Sequence, residues 1–210
     1  MIPIQTDRLT IRESSGRDFS RIYAMMLSES APPSQPGCTG VHIPAGSGRA
    51  QSLFYDVSRD EDEELEKYLA YIHTVYSVFG FGLCTVVLRQ NGEVIGWCGL
   101  QPIGDDDSPL GRIELGYLIA PEYRRQGIGY EACRAILDFA FNRLELDEVY
   151  ARIDESNEAS IRLAHKLGFT PVPTRRQGDP SFRLQKVSTQ DPLACRRVLY
   201  SRSAKGWGES

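Results

Sequence analysis

One segment, Glu114 to Phe169, constrains the fold more than any other part of the chain. It opens Glu-Leu-Gly-Tyr-Leu-Ile-Ala-Pro-Glu-Tyr-Arg-Arg-Gln-Gly-Ile-Gly-Tyr-Glu-Ala over residues 114–132, continues as a helical pattern and a short apolar strand, and closes on Ser-Asn-Glu-Ala-Ser-Ile-Arg-Leu-Ala-His-Lys-Leu-Gly-Phe over residues 156–169. An extended stretch therefore feeds a cationic, glycine-bearing turn that opens onto an amphipathic helix. Unbonded N–H groups and the positive helix end converge at such a turn, and glycine lets a ligand reach the backbone, so the pattern suits a phosphate group.

The flanking sequence supplies a sheet for that unit. Thr6–Glu13 reads as a strand with Leu9 and Ile11 on one face, and Arg17–Leu27 as a helix. Ser28–Ser52, rich in Pro, Gly and Ser, reads as a long loop of the kind that often serves binding. Asp60–Phe79 is expected to be helical, with the stripe Leu65, Tyr68, Leu69, Ile72 and Tyr76. Gly82–Leu88 and Val94–Leu100 form a hairpin about Asn91-Gly92. Gly104–Gly111 reads as a turn into the strand Ile113–Ile119. Beyond the cationic turn, Gly129–Leu144 is a helix with Cys133, Ile136, Leu137, Ala140 and Leu144 on one face, followed by the strand Val149–Ile153. Glu158–Leu167 is a second helix, with Asn157 or Ser156 as N-cap and Gly168 as its stop. Phe169–Val172 and Ala194–Ser201 are candidate final strands around a polar loop at residues 175–192. With no repeat and no linker, residues 1–210 read as a single domain, a mixed α/β sheet with helices on both faces.

Composition narrows the partners. A net charge of −4 gives nucleic acid no support. No apolar run reaches a membrane span of about 20 residues, and the N-terminus lacks signal-peptide order. Five scattered cysteines without a Cys-x-x-Cys pair, beside three histidines, point to reduced thiols in the cytoplasm and to no metal site.

Residues 127–132 also fit the dinucleotide fingerprint Gly-x-Gly-x-x-Ala, with Asp154 at the end of the next strand. Against it, residues 120–126 separate strand from glycines, Pro121 breaks the strand, and too little chain follows Asp154 for further βαβ units. Arg124-Arg-Gln-Gly-Ile-Gly129 instead matches the [Arg/Gln]-x-x-Gly-x-[Gly/Ala] signature of the GNAT superfamily of N-acetyltransferases. Glu114–Pro121, Asn157–Ser160 and Lys166–Phe169 resemble its branch of ribosomal-protein N-terminal acetyltransferases. So do Thr6-Asp-Arg-Leu-Thr-Ile-Arg12 and the hairpin Gly92–Leu100. The resemblance covers about residues 5–172, leaving 173–210 as a C-terminal loop and strand.

The resemblance implies a central, mostly antiparallel, splayed sheet and acetyl-CoA as cosubstrate. By position, the N–H groups of Arg125, Gln126, Gly127, Ile128, Gly129 and Tyr130 hold the pyrophosphate, with charge from Arg124 and Arg125. Tyr117, Leu118 and Ile119 pair their backbone with the pantetheine arm like an added strand, on a strand that carries a bulge eased by Gly116, and Asn157 bonds the arm. An amine attacks the thioester directly. Glu114 is the candidate base, its alternative being an ion pair with Arg152 or Arg112, and desolvation would raise its pKa. The tyrosine that many members carry seven residues after the Asn is Ala164 here, which leaves Ser160 as a candidate acid, its alternative being support of the helix cap. His165 reads as a surface residue and Cys98 as a core thiol. The run Asp60–Glu64 reads as a helix start, its alternative being attraction of a cationic amine, while Trp97, Phe54 and Tyr55 are candidates to line an acceptor pocket, Trp97 equally as a core residue. The acceptor is a primary amine, on a protein N-terminus or a small molecule. Many members dimerise, so a second copy of the chain is an expected partner. A non-catalytic acyl-CoA-binding module is the alternative from another class.

Overall fold

The computed structural model describes residues 3–30, 57–105, 108–154, 157–172 and 197–203. Along the chain these are β1 (Ile4–Gln5), β2 (Leu9–Glu13), a 3-10 turn at Gly16–Asp18, α1 (Phe19–Ser30), α2 (Glu61–Phe79), β3 (Leu83–Leu88), β4 (Val94–Asp105), β5 (Ser108–Ile119), a 3-10 turn at Pro121–Tyr123, α3 (Ile128–Asn142), β6 (Glu148–Asp154), α4 (Glu158–Lys166), β7 (Thr170–Val172) and β8 (Arg197–Ser203). One sheet runs in the order β1-β2-β3-β4-β5-β6-β8-β7. Its pairs are antiparallel except β5–β6, the pair that α3 connects. A dinucleotide fold needs a doubly wound parallel sheet, so this topology removes that reading. The mostly antiparallel mixed sheet with helices on both faces is the architecture expected.

Several boundaries shift by a few residues, and two of the differences have clear physical reasons. The strand read at Thr6–Glu13 begins only at Leu9, because Thr6 Oγ1 accepts from the Leu9 N–H at 3.0 Å and turns the chain between β1 and β2. The turn read at Gly104–Gly111 is mostly strand: β4 runs to Asp105 and β5 starts at Ser108, with Asp105 opposite Ser108. Antiparallel partners impose strand geometry on residues whose propensity favours turns. Of the stretch read as a loop at Ser28–Ser52, residues 28–30 belong to α1; the rest, with Phe54, Tyr55 and the polar loop read at 175–192, lies outside the described residues.

The period-2 alternation of β5 divides the core. Leu115, Tyr117 and Ile119 face α3 and α4, where Ile128, Ala132, Cys133, Ile136, Leu137, Ala164 and Leu167 pack. Leu118 belongs to the opposite face with Trp97, Leu83 and the α1–α2 residues Phe19, Ile22, Tyr23, Met26 and Tyr68. Trp97 is thus buried in this second core. Asp60 caps α2, accepting from the N–H groups of Asp62 and Glu63, so the acidic run serves a helix N-terminus.

A buried carboxylate pins α1 to the sheet. Asp18 accepts from Arg12 Nη1 and Nη2, both at 2.7 Å, from the Ser15 N–H at 2.9 Å and from Thr85 Oγ1 at 3.2 Å. Burial alone would raise its pKa, but the bonds from Arg12 and Ser15 outweigh that and hold it below the ordinary carboxylate range. A depressed folded pKa stabilises above the unfolded value of about 3.9 and is lost as pH falls through the folded pKa. Asp18→Asn is expected to cost about 2 kcal/mol at pH 7. In urea titrations the gap from wild type should close as pH falls below about 4; a gap that persists there would contradict the assignment.

Candidate functional site

β5 is held on one edge only beyond its midpoint. Its ladder to β4 is continuous from Gly96↔Ile119 to Ile103↔Arg112, whereas a single rung, Glu114↔Tyr150, joins it to β6. Past that rung the two parallel strands separate, and the β6-facing edge of residues 115–119 has no ladder partner among the described residues. The expected splay is present, but the expected bulge is not. The one register shift between β4 and β5 lies at Ile103/Asp105, far from this gap. Gly116 sits in ordinary register under the Trp97 ring, where a Cβ would come within 3.1 Å of the indole.

Glu114 stands where the ladder stops. Its carboxylate accepts from the Arg152 backbone N–H at 3.1 Å, from Arg152 Nε at 3.0 Å and Nη2 at 2.8 Å, and from Gln101 Nε2 at 3.3 Å. A side chain of β5 thereby takes a backbone donor of β6 at the opening of the gap. Glu114 is 4% exposed, so the guanidinium supplies its compensating charge out of water. Of the partners weighed from sequence, Arg152 is the one it meets.

The cationic turn follows the same strand. Pro121–Tyr123 forms one 3-10 turn, Arg125 takes φ 62° and Gly127 φ 78°. Gly127 is the N-cap of α3 and brings no side chain to cap it. The first helical rung is Glu131 N–H to Gly127 C=O at 3.0 Å. The N–H groups of Ile128, Gly129 and Tyr130 precede that rung, so no acceptor within the helix serves them. A chain that brings a bare glycine to the N-cap of a fifteen-residue helix offers those donors to an anion. Arg124 is half-buried and turned back, its Nε donating to the Ile119 carbonyl at 2.7 Å, while Arg125 and Gln126 are exposed. The Tyr130 ring lies under Lys166, 4.4 Å from Nζ to centroid.

On the α3–α4 face, Asn157 caps α4 by accepting from the Ser160 N–H at 3.0 Å. Ser160 Oγ meets Tyr117 Oη at 2.8 Å. Burial pushes the Tyr117 phenol up, so it stays protonated. Cys98 is fully buried, with Sγ 3.8 Å from Cys133 Sγ, and burial raises its pKa far above the thiol range. That is an inert core thiol. His165 is exposed in the last turn of α4. Among the described residues no group of His, Cys, Asp and Glu is arranged to hold a metal ion, and no helix is long and apolar enough to cross a membrane.

Sequence reasoning named the turn, the strand edge and the cap, but it missed the Tyr117 hydroxyl beside Ser160. It also missed Gln101 on Glu114, and Arg8 and Glu131 beside the turn. The motif Thr6–Arg12 was the one signal that pointed to Arg8.

The sheet thus opens beside the glycine-capped start of α3. Residues 8–170 match the family model described as an acetyltransferase (GNAT) domain. The chain belongs to the GNAT acetyltransferase family. Among curated relatives it is 36% identical over 90 residues to the uncharacterized protein YkkB of Bacillus subtilis, 43% of this chain and 51% of that protein. It is 32% identical over 118 residues to the FsC-acetyl coenzyme A-N(2)-transacetylase of Aspergillus fumigatus, 54% of this chain and 49% of that protein. The chain thus spans about half the length of these two relatives. Among solved structures, the ribosomal-protein-S5-alanine acetyltransferase of Vibrio fischeri superposes with a TM-score of 0.62 at 16% identity, covering 99% of both chains. An acetyltransferase of Agrobacterium tumefaciens gives 0.65 at 22%, covering 96% and 94%. At those identities the structures establish a shared fold.

Proposed function

We propose that the chain is an N-acetyltransferase that moves an acetyl group from acetyl-CoA to a primary amine by direct attack in a ternary complex. The observation that carries this is the β5 edge released at Glu114, running straight to the glycine-capped start of α3. In this reading the backbone of Tyr117, Leu118 and Ile119 pairs with the pantetheine arm, and the Asn157 side-chain amide bonds it. The N–H groups of residues 125–130 receive the pyrophosphate, with Arg125 adding charge from solvent and Arg124 bracing the turn against β5. Bound acetyl-CoA supplies the activated acyl carbon and a thiol leaving group.

The two faces of β5 then divide the work. Glu114 and Gln101 lie on the α1–α2 face, from which the amine approaches, and Tyr117 and Ser160 on the α3–α4 face. In this reading the Tyr117 phenol, 2.8 Å from Ser160 Oγ, is the donor, which leaves the serine O–H free to face the departing sulfur. Glu114, bonded on both oxygens to Arg152, serves first as the pin that sets the gap. It takes the amine proton through a water at the mouth of the gap. The sequence resemblance to ribosomal-protein N-terminal acetyltransferases makes a protein N-terminus one acceptor class. The spermidine N(1)-acetyltransferase of Escherichia coli, 36% identical over 59 residues (28% of this chain and 32% of that protein), makes a polyamine another.

The engaged state of Glu114 also favours a second reading, a module that binds acyl-CoA without turnover. Thiol release from acetyl-CoA separates the two, with polyamines, free amino acids and short peptides offered as amines. Amine-dependent release, lowered at least about tenfold by Glu114→Gln with CoA affinity kept, is the expected result. Binding without release for every amine would favour the module.

A further inference from the structure

The first turn of the chain grips the glycine turn from outside. Thr6 Oγ1 donates to Glu131 Oε1 at 2.5 Å, and the Arg8 backbone N–H reaches the same oxygen at 3.0 Å. Arg8 Nε donates to Glu131 Oε2 at 2.6 Å, Nη2 lies 2.6 Å from that oxygen, and Nη1 donates to the Gln126 carbonyl at 2.9 Å. A Cβ placed on Gly127 would touch Arg8 Nη2 at 3.5 Å. One guanidinium thus spans the turn from the peptide before Gly127 to Glu131, whose N–H closes the first rung of α3.

This is more than a surface ion pair. A lone exposed pair contributes little, and Arg8 is half-exposed. Here, however, the carboxylate is only 18% exposed and gathers donors from a side-chain hydroxyl, a backbone N–H and a guanidinium. Burial would raise the Glu131 pKa, but the bonds from Thr6 and Arg8 outweigh it and hold it below the ordinary range. The turn also needs holding. Arg125 sits at φ 62°, a left-handed conformation that is unfavourable for a non-glycine residue and persists only where surrounding contacts fix it.

We propose that Arg8 and Glu131 are positioning residues that hold the turn at residues 125–130 in its anion-binding shape, so that donor affinity depends on the β1–β2 turn. The inference rests on the donor reading above. Neither residue is assigned a contact with the ligand; each acts through the turn.

Calorimetric titration with CoA and with 3′-phosphoadenosine 5′-diphosphate, and titration of pantetheine at millimolar concentration followed by NMR, tests it on the full chain. Arg8→Ala is expected to weaken CoA and the adenosine diphosphate fragment by the same factor, about tenfold, and to leave pantetheine unchanged. Unchanged pantetheine binding also shows that the variant is folded. Glu131→Ala should match Arg8→Ala, and the double variant should be no worse than either, because both break one unit. Arg8→Lys should fall between wild type and alanine, since an ammonium meets Glu131 or the Gln126 carbonyl but lacks the fork to span both. Unchanged CoA affinity in Arg8→Ala, or an equal loss for pantetheine, would overturn the clamp. A wild type that binds pantetheine as tightly as CoA would instead overturn the donor reading itself.

Discussion

Replacing Arg152 with alanine is expected to lower the unfolding free energy by about 3–5 kcal/mol. Glu114 is 4% exposed in the native chain, and the change strips its carboxylate of two guanidinium bonds, leaving the Arg152 backbone N–H and Gln101 against it. Removing one partner of a buried pair costs far more than the pair contributes, because the surviving charge has lost both water and counter-charge. In a chain of this size the loss corresponds to a fall in the thermal midpoint of about 10 °C. Pairing Arg152→Gln with Glu114→Gln should recover most of it, since two amides bond across the same gap without a buried charge. Scanning calorimetry of the two variants is the check. A single-variant loss below about 1 kcal/mol would mean that water reaches the pair, and that Glu114 does not pin the two strands.

The second large effect is on ligand affinity. Arg124→Glu with Arg125→Glu is expected to weaken CoA binding at least about a hundredfold, or roughly 2.7 kcal/mol. Two contributions add. Reversing Arg125, exposed beside the open N–H groups, sets a negative charge against a pyrophosphate. Reversing Arg124 removes the 2.7 Å brace to the Ile119 carbonyl and faces that carbonyl with a carboxylate. The charge-neutral pair Arg124→Gln with Arg125→Gln should lose only about tenfold, and the difference between the pairs should shrink as salt rises. Calorimetry at low and high salt measures both. Equal affinity in the reversed variant would show that the pyrophosphate does not sit at this turn.

Much of the site was legible because its signals are local. Gly127 followed by an apolar period marks a helix start whatever surrounds it, and Asn157 followed by Glu158 marks a cap. The Asn91-Gly92 hairpin was equally plain, with Gly92 at φ 74°. What stayed hidden depends on contacts distant in sequence. Glu114 meets Arg152 across thirty-eight positions, Tyr117 meets Ser160 across forty-three, and Arg8 meets Glu131 across one hundred and twenty-three. The motif holding Arg8 was visible, but nothing in its spacing says where the guanidinium reaches. The expected bulge in β5 came with the resemblance. Here the gap instead arises where a side chain replaces a backbone rung.

The central claim, that the opened edge of β5 and the glycine turn hold acetyl-CoA, is tested most directly by the thermal midpoint of the purified protein with acetyl-CoA, CoA, NAD or NADP. A ligand that binds only the folded state raises the midpoint, by about 2.7 kcal/mol of stability at a hundredfold excess over its dissociation constant. The account predicts a clear rise with acetyl-CoA and with CoA and none with NAD or NADP. No rise with acetyl-CoA, or a rise with NAD, would contradict it at its central turn.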